Sequence, residues 1–267
     1  MESGAPFFWM NGILATDLCE ITSDAKRLEA DGFWAILSTF EGENTFARFG
    51  MVQRNQPFPA VQKWKPLNSI WKSSLNKSQY YEYVEEVRRN IALGIAYQAN
   101  ACRVLSTPFG GVSLDSLFAE ILAENIAPYA SFLRLPDIEV ASASPELFLN
   151  RDGRNIKTSP IKGTQNLNSR DHFGVKDQSE NIMIVDLMRN DLGRICETGS
   201  ISVTDFLRSE NHPGIRHLVS DVQGILPAGI SWEEIFQGLL PAGSISGTPK
   251  ISALEIIRSR EPVPRGI

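Results

Sequence analysis

The sequence predicts an α+β fold in which antiparallel sheets carry flanking helices. Short stretches rich in β-branched and aromatic residues crowd together at Tyr129–Leu135, Glu139–Ala143, Glu146–Asn150 and Asn155–Ser159, close enough to pair as an antiparallel meander. Helical periodicity occurs in separate blocks and not between successive strands, which argues against a doubly wound parallel sheet. The N-terminal stretch is aromatic-rich and broken by Gly and Pro, with a buried strand at FWAILSTF, Phe33 to Phe40.

Taken in order, residues from Phe7 to about Val61 read as mostly β, and the Pro-containing segment from Gln56 to Ser74 reads as a connector. A boundary near Ser74 separates a β-rich part, residues 1–74, from a larger domain, residues 75–267. Ser78 opens a helix with Tyr80, Val84, Val87 and Ile91 at helical spacing, and Gly94 stands where a C-terminal glycine belongs. A strand follows over AYQANACRVL, Ala96 to Leu105, with Gln98 and Asn100 on one face. A second helix over Ser113–Asn125 aligns Leu114, Leu117, Phe118, Ile121 and Leu122, and the meander comes next. A long helix is predicted from about Lys176 to Asp191, with strands near Ile201–Leu207 and His217–Leu226. A helix from Ser231 carries a capping box with Glu234, a Gly-rich loop follows, and a last helix starts at Lys250.

Bulk properties exclude several classes. With 267 residues, 42% of them hydrophobic, the chain can bury a sizeable core, and a net charge of −5 gives no electrostatic reason to bind nucleic acid or an anionic membrane. Its three cysteines, Cys19, Cys102 and Cys196, are odd in number and lack CxxC spacing, which suits reduced thiols. No run approaches the roughly 18 apolar residues of a membrane span, and MESGAPFFWMNG lacks the pattern of a signal peptide. These features read as a soluble, cytoplasmic protein.

Four short stretches could carry chemistry. In KTSPIKGT, Lys162 stands between Pro160 and Gly163, residues that shape backbone; a surface turn or a close-approach site would both use them. In the helix KDQSENIMIVDLMRNDLG, Asp177 and Glu180 share a face near the N-terminal end, which suits either the helix dipole or Mg²⁺ ligation. Arg189, Asn190 and Asp191 read as capping and turn residues. PAGSISGTPK is not a Walker A loop, because Thr248 and Pro249 separate Gly247 from Lys250; it is a connector or a site for a small carboxylate. His217 sits in an apolar strand, as a core histidine does. Glu146 follows Pro145 at a strand start, where partial desolvation would raise its pKa as a general acid requires.

The order YQAN, ASASPELFL, KTSPIKGT, DQSENIMIVDLMRNDLG, RHLVSDVQG, PAGSISGTPK closely resembles the chorismate-utilising enzymes, the family of anthranilate, isochorismate, salicylate and aminodeoxychorismate synthases. The resemblance covers the chain from about Ser78 onward, makes residues 75–267 a chorismate-binding catalytic domain, and makes residues 1–74 a shortened N-terminal part. PIKGT is the aminodeoxychorismate synthase form, where anthranilate synthases read PIAGT. The resemblance implies that the Lys162 amine attacks C2 of chorismate as the C4 hydroxyl leaves, and that ammonia then adds at C4 and expels the lysine. Lys162 must be neutral to attack, so burial would have to lower its pKa.

The same resemblance makes Glu146 the general acid, Glu180 with Asp177 the Mg²⁺ ligands, and His217 a neighbour of the ring carboxylate. It places Gly163, Thr164 and Ser244 along the substrate pocket. Gln98 replaces the lysine base of isochorismate synthases, which points to ammonia as nucleophile. Ammonia would come from a glutamine amidotransferase partner, on the route to p-aminobenzoate and folate. Family sequences continue past the equivalent of EPVPRGI into further strands, so the expected fold is C-terminally incomplete, and the 267-residue chain alone is expected to be inactive. Anthranilate or isochorismate synthesis, or an inactive remnant, are the competing expectations.

Overall fold

The computed structural model describes residues 4–59, 63–110, 113–124, 127–169 and 172–267. Strands β1 (Phe7–Met10), β2 (Ile13–Thr22), β3 (Phe33–Ser38), β4 (Asn44–Gln53) and the short β5 (Lys72–Ser73) precede helix α1 (Lys77–Ala92). Two-residue strands β6 (Gln98–Ala99) and β7 (Leu105–Ser106) lead to α2 (Asp115–Glu124). Next come β8 (Tyr129–Leu135), β9 (Ile138–Ser144), β10 (Leu147–Asp152), β11 (Asn155–Ser159) and β12 (Ile161–Asn166). The chain finishes with α3 (Val175–Leu192), β13 (Ser202–His212), β14 (Ile215–Ile225), α4 (Trp232–Leu239), α5 (Gly243–Ser246), β15 (Gly247–Thr248) and α6 (Lys250–Arg260). The predicted α+β class holds, and every strand pairing is antiparallel.

The strands form two main sheets. One has the order β3-β4-β2-β1-β8-β9, and the other runs β10-β11-β14-β12 with β13 also on β14. The β1–β2 hairpin turns through Asn11 and Gly12, both at positive φ (49° and 77°), the twist that a two-residue hairpin needs. Because β1 pairs with β8, strands from both sides of Ser74 share the first sheet. The predicted meander is corrected in one respect: β8 and β9 belong to the first sheet, while β10 and β11 belong to the second. The chain changes sheet at Ser144–Glu146, around Pro145.

Helices pack on one face of each sheet, and the first sheet has a second core on its other face around Ala15, Ala35, Phe49 and Leu133. Phe7, Trp9, Phe118 and Phe132 pack α2 against the first, with Phe7 and Phe132 stacked at 5.2 Å. Phe118 is fully buried, so its truncation to alanine would cost about 3–5 kcal/mol. On the second sheet, Ile156 and Val222 pack against Ile184, Val185, Leu187 and Met188 of α3. Period-two alternation along β14 therefore turns Ser220 and Val222 toward α3, and His217 and Asp221 away from it.

Helix ends follow the expected chemistry. Asn76 caps α1 through a reciprocal box with Gln79, both bonds at 2.9 Å, and Gly94 follows the helix at φ 72°. Tyr83 is buried there, its hydroxyl donating to Glu261 at 2.9 Å, and Ile91 is exposed. Ser231 and Glu234 box the start of α4 as predicted. The strand predicted over Ala96–Leu105 contracts to β6 and β7, since β6 finds a two-residue partner in β15.

Candidate active site

KTSPIKGT is strand, not turn. β13 lies along one edge of β14, so β11 and β12 follow one another along the other, joined at Pro160, whose carbonyl accepts from Ser220 N–H at 3.3 Å. The register then slips: Ile161 faces Val219 and Thr164 faces His217, so Lys162 and Gly163 together oppose Leu218. That extra residue is a β-bulge, a device that re-aims a side chain. Gly163 makes it possible, with φ at 85° and so little room that an added Cβ would lie 3.0 Å from Asp177 Cβ and 3.2 Å from Phe173 Cδ1. Opposite the bulge, the Leu218 carbonyl accepts from buried Asn181 of α3 at 3.0 Å, and Asn181 Oδ1 accepts from Ser220 at 2.6 Å.

Glu146 stands at the crossing between sheets, next to the bulge. Its backbone is fixed by Ser144, whose hydroxyl donates to the Glu146 carbonyl at 3.2 Å and accepts from its N–H at 3.3 Å. Burial pushes the carboxyl above the usual range, against three opposing influences: a hydrogen bond from Ser244, one from the Ile161 N–H, and attraction to Lys162. Lys162 itself is half-buried. Ser244, in α5, passes the connection on. Its carbonyl accepts from Asn100 Nδ2 at 2.8 Å, and Asn100 Oδ1 accepts from Gln98 Nε2 at 3.0 Å. The two amides predicted to share a face do so.

Thr164 and His217 meet across β12 and β14, with Thr164 Oγ1 2.9 Å from His217 Nδ1. His217 is 4% exposed, and among the described residues its Nε2 has no hydrogen-bond partner. Burial lowers its pKa, as does His212, whose ring centroid is 5.1 Å away; Glu210 opposes the shift. Glu210 also lies 3.0 Å from His212 Nε2, outside hydrogen-bonding geometry.

The acidic pair sits at the start of α3, beside Gly163. Asp177 accepts from Gly174 N–H at 3.1 Å, and Glu180 lies 3.7 Å from Lys176 with its side chain 43% exposed. Among the described residues no three His, Cys, Asp or Glu side chains form a metal-binding group. Asp177 and Glu180, half-buried and three residues apart, are the residues that could hold Mg²⁺, which takes one or two carboxylates and completes its shell with water and substrate oxygens.

A cavity of about 840 Å³ opens beside Glu146 and Ser244, walled by Phe40, Phe148, Trp232 and Phe236, with Arg265 at its edge. Lys162, Gly163, Thr164, His217, Gln98, Asp177 and Glu180 are not among its lining residues. Lys162 and Ser244 both act on the Glu146 carboxyl, Gln98 is linked to Ser244 through Asn100, and Thr164, His217 and Asp177 lie around the same bulge. Asn181 was not anticipated, although it falls on the stripe Asn181, Ile184, Val185, Met188, Leu192 that marks the buried face of α3. Asp191 is not a cap: it is buried in an ion pair with Lys250 at 2.8 Å.

Comparison with known proteins places these residues in context. The family described as chorismate binding enzyme matches residues 19–267. Aminodeoxychorismate synthase component 1 of Klebsiella aerogenes is 35% identical over 236 residues, 85% of this chain and 52% of that protein. Anthranilate synthase component 1 of Streptomyces coelicolor is 35% identical over 240 residues, 82% of this chain and 47% of that protein. The chain spans about half the length of these curated relatives. In structure it resembles anthranilate synthase component I of Streptococcus pneumoniae, with a TM-score of 0.74 at 22% identity, covering 88% of this chain and 67% of that one. It also resembles the menaquinone-specific isochorismate synthase of Escherichia coli, with a TM-score of 0.78 at 16% identity, covering 99% of this chain and 75% of that one. Among the described residues no helix is long and apolar enough to cross a membrane.

Proposed function

Because the chain belongs to the chorismate binding enzyme family, we propose that it aminates chorismate at C4, giving 4-amino-4-deoxychorismate on the route to p-aminobenzoate and folate. The observation that carries this reading is Lys162 in the Gly163 bulge beside a carboxyl whose pKa burial has raised. A carboxyl raised in this way holds its proton closer to neutral pH, as a general acid must. Glu146 gives that proton to the C4 hydroxyl, which leaves as water while the Lys162 amine bonds to C2, loses a proton, and both conjugated ring double bonds shift. Ammonia then bonds to C4 and loses a proton, both double bonds shift back, and the lysine departs from C2 as the amine. Arginine could not replace this lysine, being permanently protonated.

The remaining residues bind and orient. The Nε2 of His217, without a partner among the described residues, and Thr164, bonded to the other ring nitrogen, are suited to the ring carboxylate, and Gly163 leaves room for the ring. Gln98, a neutral amide held by Asn100, cannot activate water as a base would, which favours ammonia. Asp177 and Glu180 would hold Mg²⁺, which when bound neutralises substrate carboxylate charge. A separate glutamine amidotransferase is the proposed source of ammonia.

A second reading, amination at C2, is favoured by the 35% identity to an anthranilate synthase component. Incubation with chorismate, ammonium and Mg²⁺ tests both. The 4-amino and 2-amino products are isomers, so chromatography against standards must separate them. The 4-amino isomer supports the proposal, and the 2-amino isomer or anthranilate overturns it.

A further inference from the structure

Four helix ends converge on one buried ion pair. Lys250, the first residue of α6, places Nζ 2.8 Å from Asp191 Oδ2 near the end of α3, and each side chain is 5% exposed. The same ammonium donates to the Leu239 carbonyl at 3.1 Å, where α4 ends. The backbone of Gly243 at the start of α5 lies against the Asp191 carboxylate and acts to lower its pKa. Only glycine fits there: an added Cβ would lie 2.8 Å from Leu187 Cδ2 and 2.9 Å from Asp191 Oδ2. Burial pushes Asp191 up and Lys250 down, each opposed by the partner, and Arg194 is the further charge acting on both.

Stability alone gives weak reason for such a pair. Desolvating two charges offsets most of their attraction, and apolar residues of similar size often serve the fold as well. What the pair holds is more telling. One residue past Gly243 is Ser244, which shares the cavity wall with Glu146, acts to lower its pKa, and receives Asn100 on its carbonyl. We infer that Asp191 and Lys250 are positioning residues for Glu146: their ion pair seats the 240–249 loop on α3 and so places the Ser244 hydroxyl against the Glu146 carboxylate.

The charged group acting on Glu146 from β12 is Lys162, and Arg151 of β10, Cys102 and Arg265 share its cavity wall. None of these touches the Asp191–Lys250 pair within hydrogen-bonding or ion-pairing distance among the described residues. Loosening the loop therefore removes the influence of Ser244 while leaving the others on Glu146 in place. The inference rests on Glu146 as the acid of the proposed reaction, so its test is a titration that needs no turnover.

Glutamate labelled with ¹³C at the side-chain carboxyl is titrated by NMR, with Glu146 assigned from the signal lost in Glu146→Gln. Ser244→Ala should raise the Glu146 midpoint by about one to two pH units, the shift expected when a hydrogen bond to an ionised carboxylate is lost. The neutral double variant Asp191→Asn/Lys250→Met should raise it by a comparable amount. Gly243→Ala, which pushes the loop off α3 without removing either charge, should do the same and decides the matter if the double variant does not fold. Where turnover is measured, its fall at alkaline pH should move upward with the midpoint. Shifted midpoints without any amination would uphold the positioning role and count against the proposed reaction. A wild-type midpoint in the folded loop variants, even with lowered thermal stability, overturns the inference and leaves the pair as a staple of the fold.

Discussion

Gly163→Ala isolates what the bulge contributes, because a second glycine provides its control. Gly163 has φ 85° and Gly153, in the β10–β11 turn, has φ 58°, so alanine at either position bears the left-handed penalty of about 1–2 kcal/mol. Both substitutions also stiffen the unfolded chain to the same extent, and that effect cancels between them. Their surroundings differ. A Cβ on Gly153 meets nothing within 4 Å, whereas one on Gly163 lies 3.0 Å from Asp177 Cβ, where only displacement of α3 or flattening of the bulge can relieve it. Overpacking of this kind adds about 1–3 kcal/mol. Urea unfolding should therefore give a loss of about 1–2 kcal/mol for Gly153→Ala and about 2–5 kcal/mol for Gly163→Ala, read from the midpoint at constant slope. In parallel, the rate at which a small acylating reagent labels Lys162, followed by peptide mass spectrometry, should change in Gly163→Ala alone. Equal losses for the two variants, together with an unchanged Lys162 labelling rate, would refute the claim that Gly163 shapes the presentation of Lys162.

Lys162→Ala and Lys162→Arg should both lose C4 amination, with any residual addition in the alanine variant moved to C2; an unchanged product at an unchanged rate sinks the nucleophile role. Glu180→Gln should raise the Mg²⁺ concentration needed for half-maximal activity while changing stability by about 1 kcal/mol or less, as befits a half-exposed carboxylate at a helix start. A drop in thermal midpoint with unaltered Mg²⁺ dependence would mark it as a helix-start residue and nothing more. His217 has its pKa lowered from 6.5 by burial and by His212, so the unfolded chain takes up the proton first as pH falls. Its contribution to stability is complete above about pH 6.5 and is lost as pH falls toward the folded-state pKa. Unfolding free energy should decline less steeply below pH 6.5 in His217→Gln than in the wild type, and parallel profiles would remove this assignment.

Much of the architecture could be read from local pattern. The bounds of β8 and β11 coincide with the sequence reading, and the capping box at Ser231 and Glu234 forms as written. What escaped depends on partners distant in the chain. A strand with the alternation of β10 would suit either sheet, and only its pairing with β11 assigns it to the second. Pro160 and Gly163 read as turn residues because nothing local separates a turn from a strand joint followed by a bulge. Asp191 has the spacing of a helix-end residue, and its partner Lys250 lies one strand hairpin and two helices further on.

The candidate site falls where the regular ladders break, and the reason lies in backbone supply and demand. Within a ladder nearly every N–H and C=O is consumed by the neighbouring strand, so nothing remains to hold a side-chain carboxyl or meet a ligand. At the sheet crossing the Glu146 N–H and carbonyl go to the Ser144 hydroxyl, at the bulge the Leu218 carbonyl goes to Asn181, and at α5 the Ser244 carbonyl goes to Asn100. Each irregularity is fixed by a residue that a regular strand or helix would not choose: Pro145, Gly163 and Gly243. The side chains with chemistry, Glu146, Lys162 and Ser244, are the immediate neighbours of those three in sequence. Motif and mechanism are thus linked through the backbone: in the reaction proposed above, Pro145, Gly163 and Gly243 bend the chain where an acid, an amine and a hydroxyl would converge, and the buried pair of Asp191 and Lys250 fastens α6 to the end of α3.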